Sequence, residues 1–439
     1  MSKRNRMKKS EDAERHLVSG LVRNASFHLY EQKGRIFMMN DFDETMAFGT
    51  QILESGAYFQ ELCDSPEALP IHLTTAHNVK DLNDLLERYE KKGHCYNRNS
   101  NPNRTALSHL MTTIEGGEAS EGFNCGMAAI STAIIANCKS GDHILSDKTL
   151  YGETLEIFTD IVGKFGVTTD FVDFTNLEEV KNHIRPNTSI LYTETVSNPL
   201  ITMPDLTAIA EIAHANGAIL IVDNTFMTGA LVRPLSFGAD LVVNSLTKFA
   251  NGHSDALCGA ATGRKDLIEK MYHMQILLGT EAPVFDTWLT MRGIRTLELR
   301  IKKQSENAAA LAKALEANPY VKHVFHPSLP SSPYHELAKK ETDGVHMGGM
   351  LTIELEEDLD KLNAFIRNLR IVHYAMTLGG YRTTMSYPPF SSHDNLTKEE
   401  RYAIGITDGM LRISVGIEDE TDIITDFEQA LKKAYGREV

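Results

Sequence analysis

ADLVVNSLTKFANGHSD, residues 239–255, is where the fold can first be read. Leu241, Val242 and Val243 make a short apolar run, and a polar turn with Gly252 and a single lysine, Lys248, follows at once. A run too short for a helix and closed by turn residues reads as a strand buried on both faces, the kind found in parallel α/β sheets. In open sheets of this type the carboxyl ends of the strands face the ligand crevice. Lys248, just past such an end, therefore stands either at a crevice or on the surface as an ordinary capping lysine.

The same pattern continues on the N-terminal side. DHILSD (142–147), VTTDFVDF (167–174), SILYTETV (189–196) and AILIVDNT (218–225) are further short β-branched runs. NCGMAAISTAIIANC (124–138) reads as a helix opened by a Gly-containing turn, and 153–165, 177–184 and 206–215 as the helices between strands. Strand and helix alternating over 123–263 predict an α/β fold, a mostly parallel sheet with helices on both faces. Helical sequence from 285 to about 317, a Pro/Ser-rich loop (326–336), strands at MLTIEL and MLRISVG, and helices at 358–368 and 422–433 predict a smaller C-terminal α+β domain. The expected division is an N-terminal arm and subunit-contact segment (1–95), a large domain (96–290) and a small domain (291–439). Within the arm, amphipathic segments near 16–30 and 42–63 and a helical run at 79–92 could not close a core by themselves.

With 439 residues, 42% of them hydrophobic, the chain can bury ordinary cores. A formal charge of −15 argues against nucleic acid or anionic membrane as partners, since both call for a basic face. Cys63, Cys95, Cys125, Cys138 and Cys258 lack CxxC spacing, which fits free thiols in a reducing cytoplasm. Lys3, Arg4, Arg6, Lys8 and Lys9 make a basic start, but Glu11, Asp12 and Glu14 follow instead of an apolar core, so it reads as an arm and not a targeting signal. No apolar run approaches the roughly 18 residues of a membrane span. His253, His323 and His326 show no metal-ligand spacing, and no metal is expected.

A crevice lysine suits enzymes that hold the aldehyde of pyridoxal phosphate on a partly desolvated amine. Such a site also needs a phosphate cradle, an acid for the ring nitrogen, a stacking ring and a carboxylate binder. Cys125, Gly126 and Met127 open a helix, where free N–H groups favour an anion; a plain helix-opening turn is the other reading. Asp223 closes the apolar run AILIVD with Thr225 beyond it, where a carboxylate needs a partner or a crevice; helix capping is the alternative. Tyr151 in DKTLYGET could stack on a ring and act as acid or base. Arg412 sits inside an apolar strand and calls for an anion, either a substrate carboxylate or Glu418 or Asp419.

Tyr96-Asn97-Arg98 with Asn101-Pro102, CGMAAI, LYGET, ETVSNP, VDNTF, SLTKFANGHSD and LRISVGIED occur in the order in which the Cys/Met-metabolism family of pyridoxal-phosphate enzymes carries them. From about residue 69 to the C-terminus the chain resembles that family, which includes cystathionine and methionine γ-lyases, cystathionine γ-synthases and O-acetylhomoserine sulfhydrylases. The resemblance implies fold-type I and a homotetramer, a dimer of dimers with shared sites. It implies Lys248 as Schiff-base lysine and base, Asp223 on the ring nitrogen, and Tyr151 on the ring and assisting the leaving group. Gly126, Met127, Ser245 and Thr247 would hold phosphate, with Tyr96 and Arg98 reaching it from the neighbouring subunit. Asn198 would touch the ring hydroxyl, and Arg412 the substrate α-carboxylate. The implied reaction is γ-elimination on a sulfur-containing or homoserine-type amino acid, yielding a 2-keto acid and ammonia; γ-replacement is the alternative, and a non-catalytic cofactor-binding regulator a remote one.

Four positions depart from the family. Glu153 stands where methionine γ-lyases carry cysteine. In LGGYRTT, Arg382 replaces the glutamate, and Thr377 the serine, of the SLGGxES motif of cystathionine-handling members. Cys125 replaces the phosphate-loop serine, and about the first 60 residues have no counterpart. Glu153 and Arg382 are expected either to select the γ-substituent at the far end of the pocket or to pair with each other.

Overall fold

The structure is a computed structural model, and it describes residues 46–55, 66–91, 93–394 and 396–436. The basic start and the amphipathic segment near 16–30 lie outside the described residues.

Within them, seven strands form the larger sheet: β1 (Ala119–Phe123), β2 (His143–Asp147), β3 (Thr168–Val172), β4 (Thr188–Glu194), β5 (Ile219–Asp223), β6 (Leu241–Ser245) and β7 (Gly259–Gly263). Their order is β1-β7-β6-β5-β4-β2-β3. β3, β2, β4, β5 and β6 run parallel, as the β-branched runs imply. β7 is antiparallel to both β6 and β1. Neither β1 nor β7 has a β-branched apolar run: ASEGF and GAATG carry almost no strand propensity, and pairing within the sheet overrides that.

The helices that position the site are α1 (Pro102–Glu115), α2 (Gly126–Asn137) and α3 (Gly152–Glu156). Asn101 caps α1 by accepting the Asn103 N–H, Pro102 occupies the first turn, and Gly116 ends it in the left-handed region. The helix expected at 153–165 is interrupted: after α3 the chain takes a π-helical turn over Ile157–Ile161 and then a 3-10 turn over Val162–Phe165. The helical stretch expected from 285 to 317 divides at Arg295-Thr296 into α4 (Val284–Ile294) and α5 (Leu297–Glu316).

A second sheet of five strands follows, ordered β10-β11-β12-β9-β8. Its strands are β8 (His323–Phe325), β9 (Met350–Glu354), β10 (His373–Tyr374), β11 (Thr384–Ser386) and β12 (Met410–Ser414). Helices α6 (Leu359–Asn368) and α7 (Glu420–Tyr435) cover it, with Leu351, Ile353, Leu411 and Ile413 from the strands and Phe365 and Phe427 from the helices in one core cluster. Burying side chains of that size contributes about 1.5–3 kcal/mol each before entropy is counted.

Candidate active site

The carboxyl ends of the parallel strands supply a row of polar side chains. Asp147 ends β2, Glu194 ends β4, Asp223 ends β5 and Ser245 ends β6. Beyond these ends opens a cavity of about 340 Å³, within the size range of small-molecule sites. Its lining includes Lys248, Tyr151, Asp223, Glu194, Asn198 and Arg412. Cys125, Gly126, Met127, Thr225, Ser245, Thr247, Thr377 and Glu153 line it too.

Lys248 lies in one helical turn beyond β6, with the Lys248 N–H donating to the Ser245 carbonyl at 3.2 Å and Gly252 N–H to the Lys248 carbonyl at 2.8 Å. Arg300 on α5 holds that turn from behind. Its Nη1 donates to the Phe249 carbonyl at 2.8 Å, and its Nη2 to the Ala250 and Gly293 carbonyls at 2.9 Å each. Burial, and then the nearby Arg412 charge, hold the Lys248 pKa below its ordinary value, while Glu153 acts the other way.

The phosphate-sized end of the cavity is formed where α2 starts against β6. A Cβ on Gly126 would lie 2.6 Å from Ser245 Cβ, so only glycine lets the helix end come down on the strand end. Thr225 Oγ1 accepts the Ser245 N–H at 2.8 Å, and Thr247 Oγ1 accepts the Cys258 N–H at 3.1 Å. Cys125 precedes α2 without a side-chain capping bond, which leaves the α2 N–H groups free to meet an anion.

Asp223, 9% exposed, accepts the Thr225 N–H at 2.8 Å. It forms no ion pair among the described residues. Burial lifts its pKa to about 6, so a cation in the cavity would strengthen its ionised form. The protonated nitrogen of pyridoxal phosphate is such a cation, and the cradle, lysine and acid all fit that cofactor.

Arg412 on β12 is 6% exposed, and its Nη1 donates to Asn198 Oδ1 at 2.8 Å. Glu418 instead accepts from the Thr383 N–H and hydroxyl, and Asp419 caps α7, so neither satisfies Arg412. Burial lowers the guanidinium pKa to about 10. The Tyr151 hydroxyl pKa is raised above its ordinary value by burial first and then by the nearby Glu153.

Three expected site residues stand apart from this cavity in the chain. Tyr96 is 49% exposed, with the Arg98 guanidinium 5.7 Å from its ring centroid; Arg98 also donates to the Ile276 carbonyl. Arg382 lines a second, neighbouring cavity of about 200 Å³ with Ser254, His373, Tyr381 and Thr384. Thr377 borders both cavities. Arg382 stacks on the Tyr381 ring at 5.3 Å, and among the described residues it makes no ion pair with Glu153. Glu194, not among the residues expected at the site, closes the apolar run SILYTE with the same signal that marks Asp223 in AILIVD.

The profile of the Cys/Met metabolism PLP-dependent enzyme family matches residues 49–432. The chain belongs to that family. Relatives include a cystathionine beta-lyase of Bacillus subtilis (strain 168), 42% identical over 339 residues, which are 77% of this chain and 86% of that protein. An L-methionine gamma-lyase of Fusobacterium nucleatum subsp. polymorphum is 37% identical over 371 residues, 83% of this chain and 93% of that one. Among solved structures, a cystathionine gamma synthase from Xanthomonas oryzae pv. oryzae superposes with a TM-score of 0.84 at 32% identity, covering 89% of this chain and 98% of that one. This member of the Cys/Met-metabolism family is thus a PLP-dependent enzyme with the fold-type I architecture of its neighbours.

Proposed function

We propose that this chain eliminates the γ-substituent of a sulfur-containing or homoserine-type L-amino acid, giving a 2-keto acid and ammonia. The observation that carries this reading is the meeting of Lys248, Tyr151, Asp223 and Arg412, from four separate segments, on one cavity. Bound pyridoxal phosphate supplies a sink for negative charge developed at the substrate Cα. Asp223 holds the ring nitrogen proton. Gly126, Met127, Ser245 and Thr247 would receive the phosphate, Asn198 would serve the ring hydroxyl, and Tyr151 would supply the stacking ring.

Arg412 receives the substrate α-carboxylate, because Asn198 occupies one of its guanidinium donors and leaves a fork for a planar anion. Lys248, its amine made more available by the lowered pKa, would take the Cα proton and, once it has passed that proton on and is neutral again, a Cβ proton as the γ-substituent departs. Tyr151 keeps its proton at neutral pH, since its pKa is raised, and can donate it to the leaving group.

Residues 96–290 are read as the cofactor domain and 291–439 as the small domain. Glu153 and Arg382 are read as selecting the γ-substituent. The assembly is a homotetramer in the cytoplasm, with Tyr96 and Arg98 serving a neighbouring site. In support, the helix Leu82–Glu90 has no buried residue in its own chain and shows Leu82, Leu86 and Tyr89, spaced for one face, at 78%, 59% and 60% exposure. No described helix is long and apolar enough to cross a membrane.

Two specific observations favour second readings. A cystathionine beta-lyase and a cystathionine gamma-lyase are each 42% identical to this chain, which keeps β-elimination as a second reading. The likeness to a cystathionine gamma synthase favours γ-replacement. A substrate panel decides among them. 2-Ketobutyrate without added thiol means γ-elimination, pyruvate from cystathionine means β-elimination, and product only with added thiol means replacement. Borohydride should fix the cofactor on Lys248, and a protein that stays colourless with added pyridoxal phosphate would refute all three.

A further inference from the structure

We infer that Glu194 is a positioning residue of this site: its one buried carboxyl sets both Tyr151 and Asn198, and through Asn198 it sets Arg412. The inference rests on the cofactor-binding reading above.

Glu194 is the last residue of β4 and pairs in register with Asp223, the last residue of β5. Partners in register on parallel strands direct their side chains to the same face of a sheet, so two carboxyls stand side by side at the cavity. Glu194 Oε1 accepts the Tyr151 N–H at 2.7 Å, across 43 residues of sequence. The nearby Asn198 backbone N–H also acts electrostatically on the Glu194 carboxyl, favouring its charged form. Asn198 in turn holds Arg412 Nη1 at 2.8 Å. One side chain thereby links the loop after β2, the loop after β4 and strand β12 of the other sheet. Those three segments carry the expected stacking ring, the ring-hydroxyl contact and the carboxylate binder.

Glu194 is 7% exposed and has no ion-pair partner among the described residues. The groups facing it are Asp147 from β2, Asp223 from β5, Tyr151 from the loop after β2, Tyr192 on its own strand and Arg412 from β12. Burial first, and then the Asp223 and Asp147 carboxyls, push the Glu194 pKa well above the ordinary carboxyl value. Glu194 Oε1 can accept the Tyr151 N–H in either protonation state, and the upward shift lessens the negative charge that Glu194 places beside Asp223.

The test uses the full chain stripped of cofactor and then titrated with pyridoxal phosphate, followed by steady-state kinetics on the best substrate of the panel. E194A should raise both the Kd for pyridoxal phosphate and the KM by roughly tenfold, as expected when a buried contact at each end of the chain of bonds is lost. E194Q should recover most of both losses, because its amide is neutral and keeps an acceptor for the Tyr151 N–H. A rise below roughly fivefold in either constant for E194A, or an E194Q no better than E194A, overturns the inference. Should E194A fail to fold, E194D replaces it under the same thresholds, since a carboxyl one methylene shorter retracts from both N–H groups. A wild-type protein that binds no pyridoxal phosphate refutes the proposed function instead.

Discussion

Replacing Glu115 by glutamine measures how much electrostatic strain the protein carries beneath its site. Glu115 ends α1 and is fully buried. Its Oε1 accepts from the Gly229 N–H and Asn244 Nδ2 at 3.0 Å each, and its Oε2 from Asn224 Nδ2 at 3.1 Å. Asn224 follows Asp223 and Asn244 precedes Ser245, so this carboxyl ties α1 to the two strand ends that carry the ring acid and the phosphate serine. Desolvation outweighs these hydrogen bonds and the nearby Arg233, and it lifts the Glu115 pKa from 4.5 to about 7.

The folded protein therefore keeps a proton that the unfolded chain has already released. Stability from this group is fully present below about pH 4.5 and is lost as pH rises through about 7. At about 1.4 kcal/mol per pH unit the gap amounts to about 3 kcal/mol. In Glu115→Gln the amide resembles the protonated acid but cannot titrate. Because its –NH2 faces a donor that a carboxyl oxygen accepted, the variant should be about 1–3 kcal/mol less stable than wild type at pH 5, and it should gain about 3 kcal/mol relative to wild type by pH 8. Urea unfolding of both proteins at pH 5, 6, 7 and 8 provides the comparison; the other buried carboxyls are common to both and cancel. A stability difference that stays constant with pH to within about 0.5 kcal/mol would refute the reasoning.

Gly379 has φ +76°, and a Cβ there would lie 2.5 Å from Phe249 N and 2.8 Å from Lys248 C. Gly379→Ala should cost about 2–4 kcal/mol and displace the lysine turn, read as a lower thermal midpoint together with weaker borohydride labelling of Lys248. Arg412→Lys loses the planar fork, so KM should rise about tenfold or more with a smaller change in kcat; an unchanged KM would place the substrate carboxylate elsewhere. Arg382→Glu should alter the relative rates on cystathionine, methionine and O-acetylhomoserine, and unchanged ratios would exclude Arg382 from selecting the leaving group.

The sequence by itself determined the parallel core and most of the residues along its carboxyl edge. Short apolar runs bounded by turn residues, such as LVV in β6, favour strands, and a polar residue closing such a run is visible without knowing its neighbours. Asp223 and Lys248 were legible for that reason, and Glu194 carried the same signal. Edge strand β1 and its inner neighbour β7 were not legible, because ASEGF and GAATG are extended only through pairing with β6 and with each other. The tertiary structure alone decided which distant groups meet. It brought Arg412 from the second sheet to Asn198, put Glu194 beside Asp223, and set Arg382 in a cavity of its own. Periodicity encodes which face of an element is buried, whereas proximity across hundreds of residues depends on how those faces pack.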